Sequence, residues 1–157
     1  MTEIRLLNKG DKLDDLICLS REFFEEYESH HAAFFEIDTL RDSDIVDYFS
    51  HWMGSDDGAT YIALAEGRIV GYITVHVCTQ ARFWKIKKVG GVSGLMVQKG
   101  YRRRGIGRRL LARARAFFDQ KLVSYYTVYT AAGNQGALEF YHQSGMSPIY
   151  TTMMGQV

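Results

Sequence analysis

The sequence predicts an α/β protein of the α+β kind. Its expected form is a mixed, mostly antiparallel central sheet flanked by about four helices, with a β-α-β unit in the second half. Three observations predict it. Short runs rich in β-branched and aromatic residues alternate with helical stripes along the whole chain. Between two early strand runs stands Glu66-Gly67, a hairpin signal. Later a strand, a helix and another strand follow in order, which calls for a parallel pairing through a crossover.

The elements follow in order. Residues 3–7 alternate and read as a short strand. Residues 11–27 place Leu13, Leu16, Ile17, Phe23, Phe24 and Tyr27 at helical spacing, with Asn8 or Asp11 to cap the start. A polar-aromatic loop covers 28–36, and a second helix over 39–52 turns Leu40, Ile45, Phe49 and Trp52 inward. Gly54-Ser55-Asp56-Asp57-Gly58 is a turn cluster. Strands at 60–65 and 69–78 form the hairpin. A third lies within 83–97, broken or bulged near Gly90-Gly91. A helix spans 106–122, with Ile106, Leu110, Leu111, Ala114, Phe117 and Phe118 on one stripe. A strand follows at 125–130, then a short helix at 134–144, capped by Asn134 and stopped by Gly145. A last strand is expected at 149–154. The order is β-α-α-β-β-β-α-β-α-β.

Length and composition bound the function. The 157 residues suit a single domain, residues 1–157. Such a chain can bury roughly 70% of its unfolded surface without staples. Hydrophobic residues at 46% and charged residues at 24% exclude a disordered or collagen-like chain. Cys18 and Cys78 lie far apart with no CxxC, so neither a disulfide scaffold nor a zinc site is expected. Two lone thiols suit a reducing cytoplasm. No apolar run approaches the ~20 residues that span a bilayer. The start carries Glu3 and runs into a polar stretch, unlike a signal peptide.

The net charge of +1 hides an asymmetry. Residues 1–66 hold sixteen Asp/Glu against five Lys/Arg, and residues 67–157 hold two against fourteen. This points to an anionic partner for the second half and a cationic one for the first, or to two solvated faces.

The chemistry concentrates in residues 94–111. A strand ends near Val97, a glycine-bearing turn follows, and a helix opens at Gly105. Amides at a helix start are unpaired, point outward and sit in positive potential, and glycines let the backbone approach an anion. This is a pyrophosphate cradle. It is not a Walker loop, because GxxxxGK[ST] is absent, nor a dinucleotide fingerprint, because Leu110 stands where the third glycine belongs. Arg102, Arg103, Arg104, Arg108, Arg109, Arg113 and Arg115 place seven positive charges in fourteen residues, and an anionic partner would relieve their repulsion.

These residues resemble the GNAT superfamily of N-acetyltransferases. Its acetyl-CoA signature, Arg/Gln-x-x-Gly-x-Gly/Ala, is matched by Arg102-Arg103-Arg104-Gly105-Ile106-Gly107. A second pattern, Asn-x-x-Ala-x-x-Phe-Tyr-x-x-x-Gly-Phe, is matched by Asn134, Ala137, Phe140, Tyr141 and Gly145, with Met146 in place of the last phenylalanine. The resemblance implies acetyl-CoA as co-substrate and no metal. It implies that amides of Arg103 to Arg108 hold the diphosphate, and that the backbone of Leu95, Met96 and Val97 pairs with the pantetheine arm. Asn134 would hydrogen-bond that arm. Tyr141 would protonate the leaving thiolate, and a strand amide near Val97 would stabilise the carbonyl oxygen. The amine attacks directly, without an acetyl-enzyme.

The chain departs from the pattern at Ser93 and Gly94, where many relatives carry a carboxylate base. Glu26, Glu28, Glu36, His31, His76 or a water chain could replace it, and the sequence selects none. Only twelve residues follow Gly145, so the usual closing hairpin shrinks to one strand. His30-His31 lacks metal-ligand spacing and reads as a solvated loop, Phe34-Phe35 as core, and Lys85, Lys87 and Lys88 as a solvated strand face.

The expected function is transfer of an acetyl group to a primary amine. The acceptor is expected to be a small molecule, cationic to suit the acidic half: a polyamine, aminoglycoside or basic amino acid. An acyl-CoA-binding protein without transfer is the alternative. A nucleic-acid module using the arginine run ranks below both, since no known nucleic-acid motif is present. Neither nucleic acid nor membrane is an expected partner. Homodimers are common in the family, although no feature of this sequence marks one.

Overall fold

The computed structural model describes residues 1–157. Glu66 and Gly67 both take positive φ, 52° and 76°, the conformation that joins right-twisted strands through a two-residue turn. They fold β2 (Gly58–Ala65) onto β3 (Arg68–Thr79). The chain begins with β1 (Glu3–Leu6), α1 (Asp14–Glu28) and α2 (Asp42–His51). It continues after β3 through β4 (Lys88–Val97), α3 (Ile106–Gln120), β5 (Tyr126–Val128) and α4 (Gln135–Gln143). The five strands lie in the order β1-β2-β3-β4-β5, and every pairing is antiparallel except β4 with β5. Mixed architecture, four helices and the late β-α-β unit agree with the sequence.

Strand alternation sends successive side chains to opposite faces, so two cores form. Ile73 and Val75 of β3 pack with Ile106, Leu110, Ala114 and Phe118 of α3. Tyr72 and Met96 pack on the other face with Leu16, Leu19, Ile45 and Phe49 of α1 and α2. Burying a large apolar side chain contributes about 1.5–3 kcal/mol, so these stripes hold the helices to the sheet. On the α1–α2 face, the Thr60 and Thr74 hydroxyls bond to each other at 2.8 Å.

Several boundaries shift for local reasons. α2 starts at Asp42 rather than 39, because the Asp44 carboxylate accepts the Arg41 N–H at 2.9 Å and sets the helix entry there. The third strand starts at Lys88 rather than 83. Residues 81–87 form the turn of the β3–β4 hairpin, closed by Gln80 N–H donating to the Lys87 carbonyl at 2.8 Å. Lys85 and Lys87 therefore stand in a turn, not along a strand. The β4 bulge falls at Ser93, because Val75 pairs with Val92 while Thr74 pairs with Gly94. Gly90 and Gly91 serve another purpose. A Cβ there would sit 2.5 Å from the Phe118 ring and 2.7 Å from the His76 ring, so both glycines vacate space for aromatic packing.

The expected strand at 149–154 does not form. β5 pairs over only three residues, Pro148 has no N–H to donate, and Ile149, Tyr150, Met153 and Met154 are exposed. The apolar spacing looked strand-like, but the sheet edge offers too short a template.

Candidate functional site

The site starts where two parallel strands part. β5 pairs with β4 only at Gly90, Gly91 and Val92. Beyond Val92, β4 continues to Val97 with β3 as its only partner. Hydrogen bonding in an antiparallel ladder alternates, and Gln98 N–H donating to the Val70 carbonyl at 2.8 Å fixes the phase. Gly94 and Met96 thus turn their backbones toward β3, and Leu95 and Val97 turn theirs outward. Met96 is spent on the ladder, contrary to its expected role; its buried side chain belongs to the α1–α2 core. The Val97 carbonyl already accepts from Arg102 Nε at 2.7 Å. The open edge therefore offers the N–H and carbonyl of Leu95 and the N–H of Val97.

The edge runs into the glycine turn. Arg103 and Gly105 both take positive φ, 64° and 78°, and Ile106 buries its side chain to anchor the start of α3. The N–H groups of residues 103–108 find no acceptor in the protein, and the first one paired is Arg109, donating to the Gly105 carbonyl at 3.1 Å. Six consecutive amides at a helix N-terminus form an anion seat, favoured further by the helix dipole. Gly107 fits here because a Cβ would come 3.3 Å from the Phe140 ring, so glycine lets α4 close on α3.

The arginines divide into two kinds. Arg102 donates to Glu26 Oε1 at 2.8 Å as well as to Val97, tying α1 to the end of β4. Its charge is already matched, so it holds the loop rather than waiting for an anion. Arg103, Arg104 and Arg108 are exposed and form no ion pair with the protein's carboxylates. Arg104 lies over the Tyr101 ring, 5.1 Å from its centroid.

α4 closes the opposite side. Asn134 Oδ1 accepts from Ala137 N–H at 3.1 Å and caps the helix, which leaves its amide NH₂ free of this bond. Tyr141 lies one turn further along α4 and is half-buried. Burial raises its hydroxyl well above the ordinary tyrosine range, and the Tyr126 and Tyr27 phenols add to the effect. The hydroxyl stays protonated throughout the working pH range.

On the face covered by α1 and α2, a hollow of about 230 Å³ ends at Ser93 and Gly94 of β4. Ser93 Oγ and the Tyr48 hydroxyl are bonded at 2.7 Å. Beyond this pair lies a second, shallower hollow bearing Asp47, His51, Trp52 and His76. The His76 ring stacks on Trp52 with centroids 5.5 Å apart. Burial lowers its pKa, and its Nδ1 has no hydrogen-bond partner.

The candidate bases separate on this geometry. Glu26 is bound to Arg102, with Lys99 Nζ at 3.8 Å. Glu28 accepts from Ile37 N–H at 2.7 Å, and His31 Nδ1 accepts from Phe34 N–H at 3.2 Å. Glu36 is exposed. Of the five side chains proposed from the sequence, His76 is the one that shares this hollow with Ser93, alongside Asp47 and His51. Other first-half acids are also engaged: Asp11 with Arg5 at 2.7 Å, Asp15 with Arg68 at 2.7 Å, Asp42 with Arg21, and Asp44 with Arg41 at 3.2 Å. The acidic half is thus less of a cation trap than its formal charge suggests. Sequence reasoning missed the Ser93–Tyr48 pair and the Arg102–Glu26 tie, since nothing in the spacing of those residues marks their contact.

A protein-family model described as "Acetyltransferase (GNAT) family" matches residues 19–146. The chain belongs to the GNAT acetyltransferase family. An uncharacterized N-acetyltransferase of Archaeoglobus fulgidus is 27% identical over 139 residues, 88% of each chain. The BH1408 protein of Bacillus halodurans, solved as a point mutant, superposes with a TM-score of 0.85 at 20% identity over 99% of both chains. The aminoglycoside acetyltransferase AAC(6')-Iy, solved with the bisubstrate analogue CoA-S-monomethyl-acetylneamine, gives a TM-score of 0.75 at 16% identity, covering 100% of this chain and 98% of its own. At these identities the solved structures speak for the GNAT fold. No group of His, Cys, Asp and Glu in this GNAT protein is placed to hold a metal ion, and no helix is long and apolar enough to cross a membrane.

Proposed function

We propose that residues 1–157 act as one acetyltransferase domain that moves an acetyl group from acetyl-CoA directly to a primary amine of a small molecule. The observation that carries this reading is the row of six unpaired amides continuous with the open edge of β4. The diphosphate of the cofactor is assigned to the amides of Arg103, Arg104, Gly105, Ile106, Gly107 and Arg108, with the exposed guanidinium groups screening its charge. The pantetheine arm adds to the β4 edge at Leu95 and Val97 as a pseudo-strand. The free Asn134 amide and the Ala137 side of α4 flank it.

The amine reaches Ser93 as an ammonium and must first lose a proton. We assign that step to His76 acting through water, since its hollow adjoins Ser93 and burial keeps the imidazole neutral. The amine nitrogen then bonds to the acetyl carbon while the C–S bond breaks. The Val97 N–H is suited to the developing oxyanion, Tyr141 supplies the proton that converts the leaving thiolate to a thiol, and the proton shed by the new amide nitrogen restores the Tyr141 hydroxyl through water. Charge alone admits a polyamine, an aminoglycoside or a basic amino acid as acceptor. A cytoplasmic setting and a homodimer belong to the same reading, and sedimentation of the purified protein tests the latter.

The test is calorimetry with acetyl-CoA beside a thiol-release assay over a panel of amines. Micromolar to millimolar binding with amine-dependent release is expected. No binding at millimolar acetyl-CoA overturns the reading. A second reading, acyl-CoA binding without transfer, draws on the missing carboxylate at Ser93, and binding with no release from any amine would favour it. DNA retention that falls steeply with salt, without acetyl-CoA binding, would instead favour a nucleic-acid role.

A further inference from the structure

We infer that the acceptor is a compact monoamine with an apolar body, such as an aralkylamine or short alkylamine, rather than a polycation or an amino sugar. The inference rests on the transferase reading above and concerns the hollow between α1, α2 and β4. Phe23, Phe24, Leu40, Ile45, Tyr48 and Tyr72 make up most of its wall. The only carboxylate lining it is Asp44, already paired with Arg41 at 3.2 Å. The other polar side chains are Ser20 and Tyr72, both buried, and Ser93, bonded to Tyr48 at the β4 end.

Size and polarity act together. A hollow of about 230 Å³ lies between the roughly 150 Å³ cavity that admits benzene and the ≈ 300–1,000 Å³ typical of drug-sized ligands. One ring or a short alkyl chain with a single amine fits. An amino sugar of several rings does not. Within this hollow the remaining ammonium and hydroxyl groups of a polyamine or aminoglycoside would lie against phenylalanine and isoleucine, away from the Asp47, His51 and His76 of the hollow beyond Ser93, and a poorly partnered polar group in such surroundings is costly. A single amine leaves only one polar end, which Ser93 and Tyr48 receive where β4 opens toward the proposed cofactor edge. The aromatic rings also favour the charged nitrogen on its way in.

The experiment compares initial rates of thiol release from acetyl-CoA with phenethylamine, spermidine and kanamycin, and with the n-alkylamines from ethylamine to hexylamine. The expected kcat/KM for phenethylamine exceeds those for spermidine and kanamycin by at least tenfold. Along the alkyl series it rises about fourfold per methylene, equivalent to ~0.8 kcal/mol for each buried CH₂, and levels off when the hollow is full. Ile45→Phe, which fills the hollow, should move that plateau to shorter amines while leaving acetyl-CoA affinity unchanged. Preference for spermidine or kanamycin, or no dependence on chain length, overturns the apolar-acceptor inference and leaves the transferase reading standing. Absence of release with every amine, in a protein that binds acetyl-CoA, overturns both.

Discussion

Replacing Tyr141 with phenylalanine isolates the proposed proton donor with little structural disturbance. No hydrogen bond contributes to the hydroxyl's shifted pKa, and the ring remains to pack beside Phe140 at 5.2 Å. The stability change should stay within about 0.5 kcal/mol, as for substitutions that remove no buried partner. The catalytic cost can be bounded. General acid catalysis contributes about 10²–10⁴-fold, and its size depends on how well donor and leaving group match. Burial raises Tyr141 above a tyrosine's usual value of about 10, while a free thiol titrates near about 8.5. Transfer to the thiolate alone is therefore uphill, and it proceeds as the proton shed by the amide nitrogen replaces the one the hydroxyl gives up. That places the loss at the low end, about 10²-fold in kcat, or about 2.7 kcal/mol. Acetyl-CoA affinity should not change, because the diphosphate seat lies on α3. The assay is steady-state thiol release with the best amine from the panel, with calorimetry for cofactor binding and a thermal melt for integrity. Undiminished kcat in a folded variant would refute the role. An equal loss in cofactor affinity would show that Tyr141 holds the arm rather than donating a proton.

Arg102→Ala should cost about 1.5 kcal/mol, the low end for a charged hydrogen-bonding group, because the site is partly solvated. Glu26→Gln should weaken acetyl-CoA binding several-fold through a loosened loop; unchanged binding, measured by calorimetry, would show that the tie does not position the loop, and tighter binding that the freed Arg102 meets the diphosphate directly. For His76, burial holds the folded pKa below the unfolded value of about 6.5. The unfolded chain therefore binds more protons as pH falls, so stability is intact above that value and declines below it. Asp47 and His51 of α2 line the same hollow, facing His76 beside Trp52, so the comparison must change His76 alone. His76→Phe, followed by urea midpoints from pH 8 to 5, should flatten the decline; parallel curves would contradict the assignment. Leu110, fully buried under α3, should cost about 2–5 kcal/mol when cut to alanine, read from the urea midpoint with an unchanged slope.

What the sequence determined was local. Glu66-Gly67 could only be a turn, the Ile106–Phe118 stripe could only be a helix face, and Gly105-x-Gly107 after a strand could only leave amides bare. Each follows from steric and periodic rules that act within a few residues; the family was legible instead from the resemblance of residues 102–107 and 134–145 to its two patterns. The tertiary structure decided what depends on distant partners. Arg102 is bound by Glu26, 76 residues away in sequence, so one member of the arginine run is already matched by a carboxylate of the protein. The bulge lies at Ser93 rather than at Gly90-Gly91, where the ring of His76, from the neighbouring strand, fills the space over Gly91. The tail stayed irregular because β5 offers three residues of pairing, whatever the apolar spacing of 149–154 suggests. Asp15 and Asp42 found arginines 53 and 21 residues away, and an aromatic hollow took shape between helices whose facing residues no spacing rule connects. Backbone preference is written residue by residue; side-chain pairing and cavity shape arise only when separate segments compete for the same space.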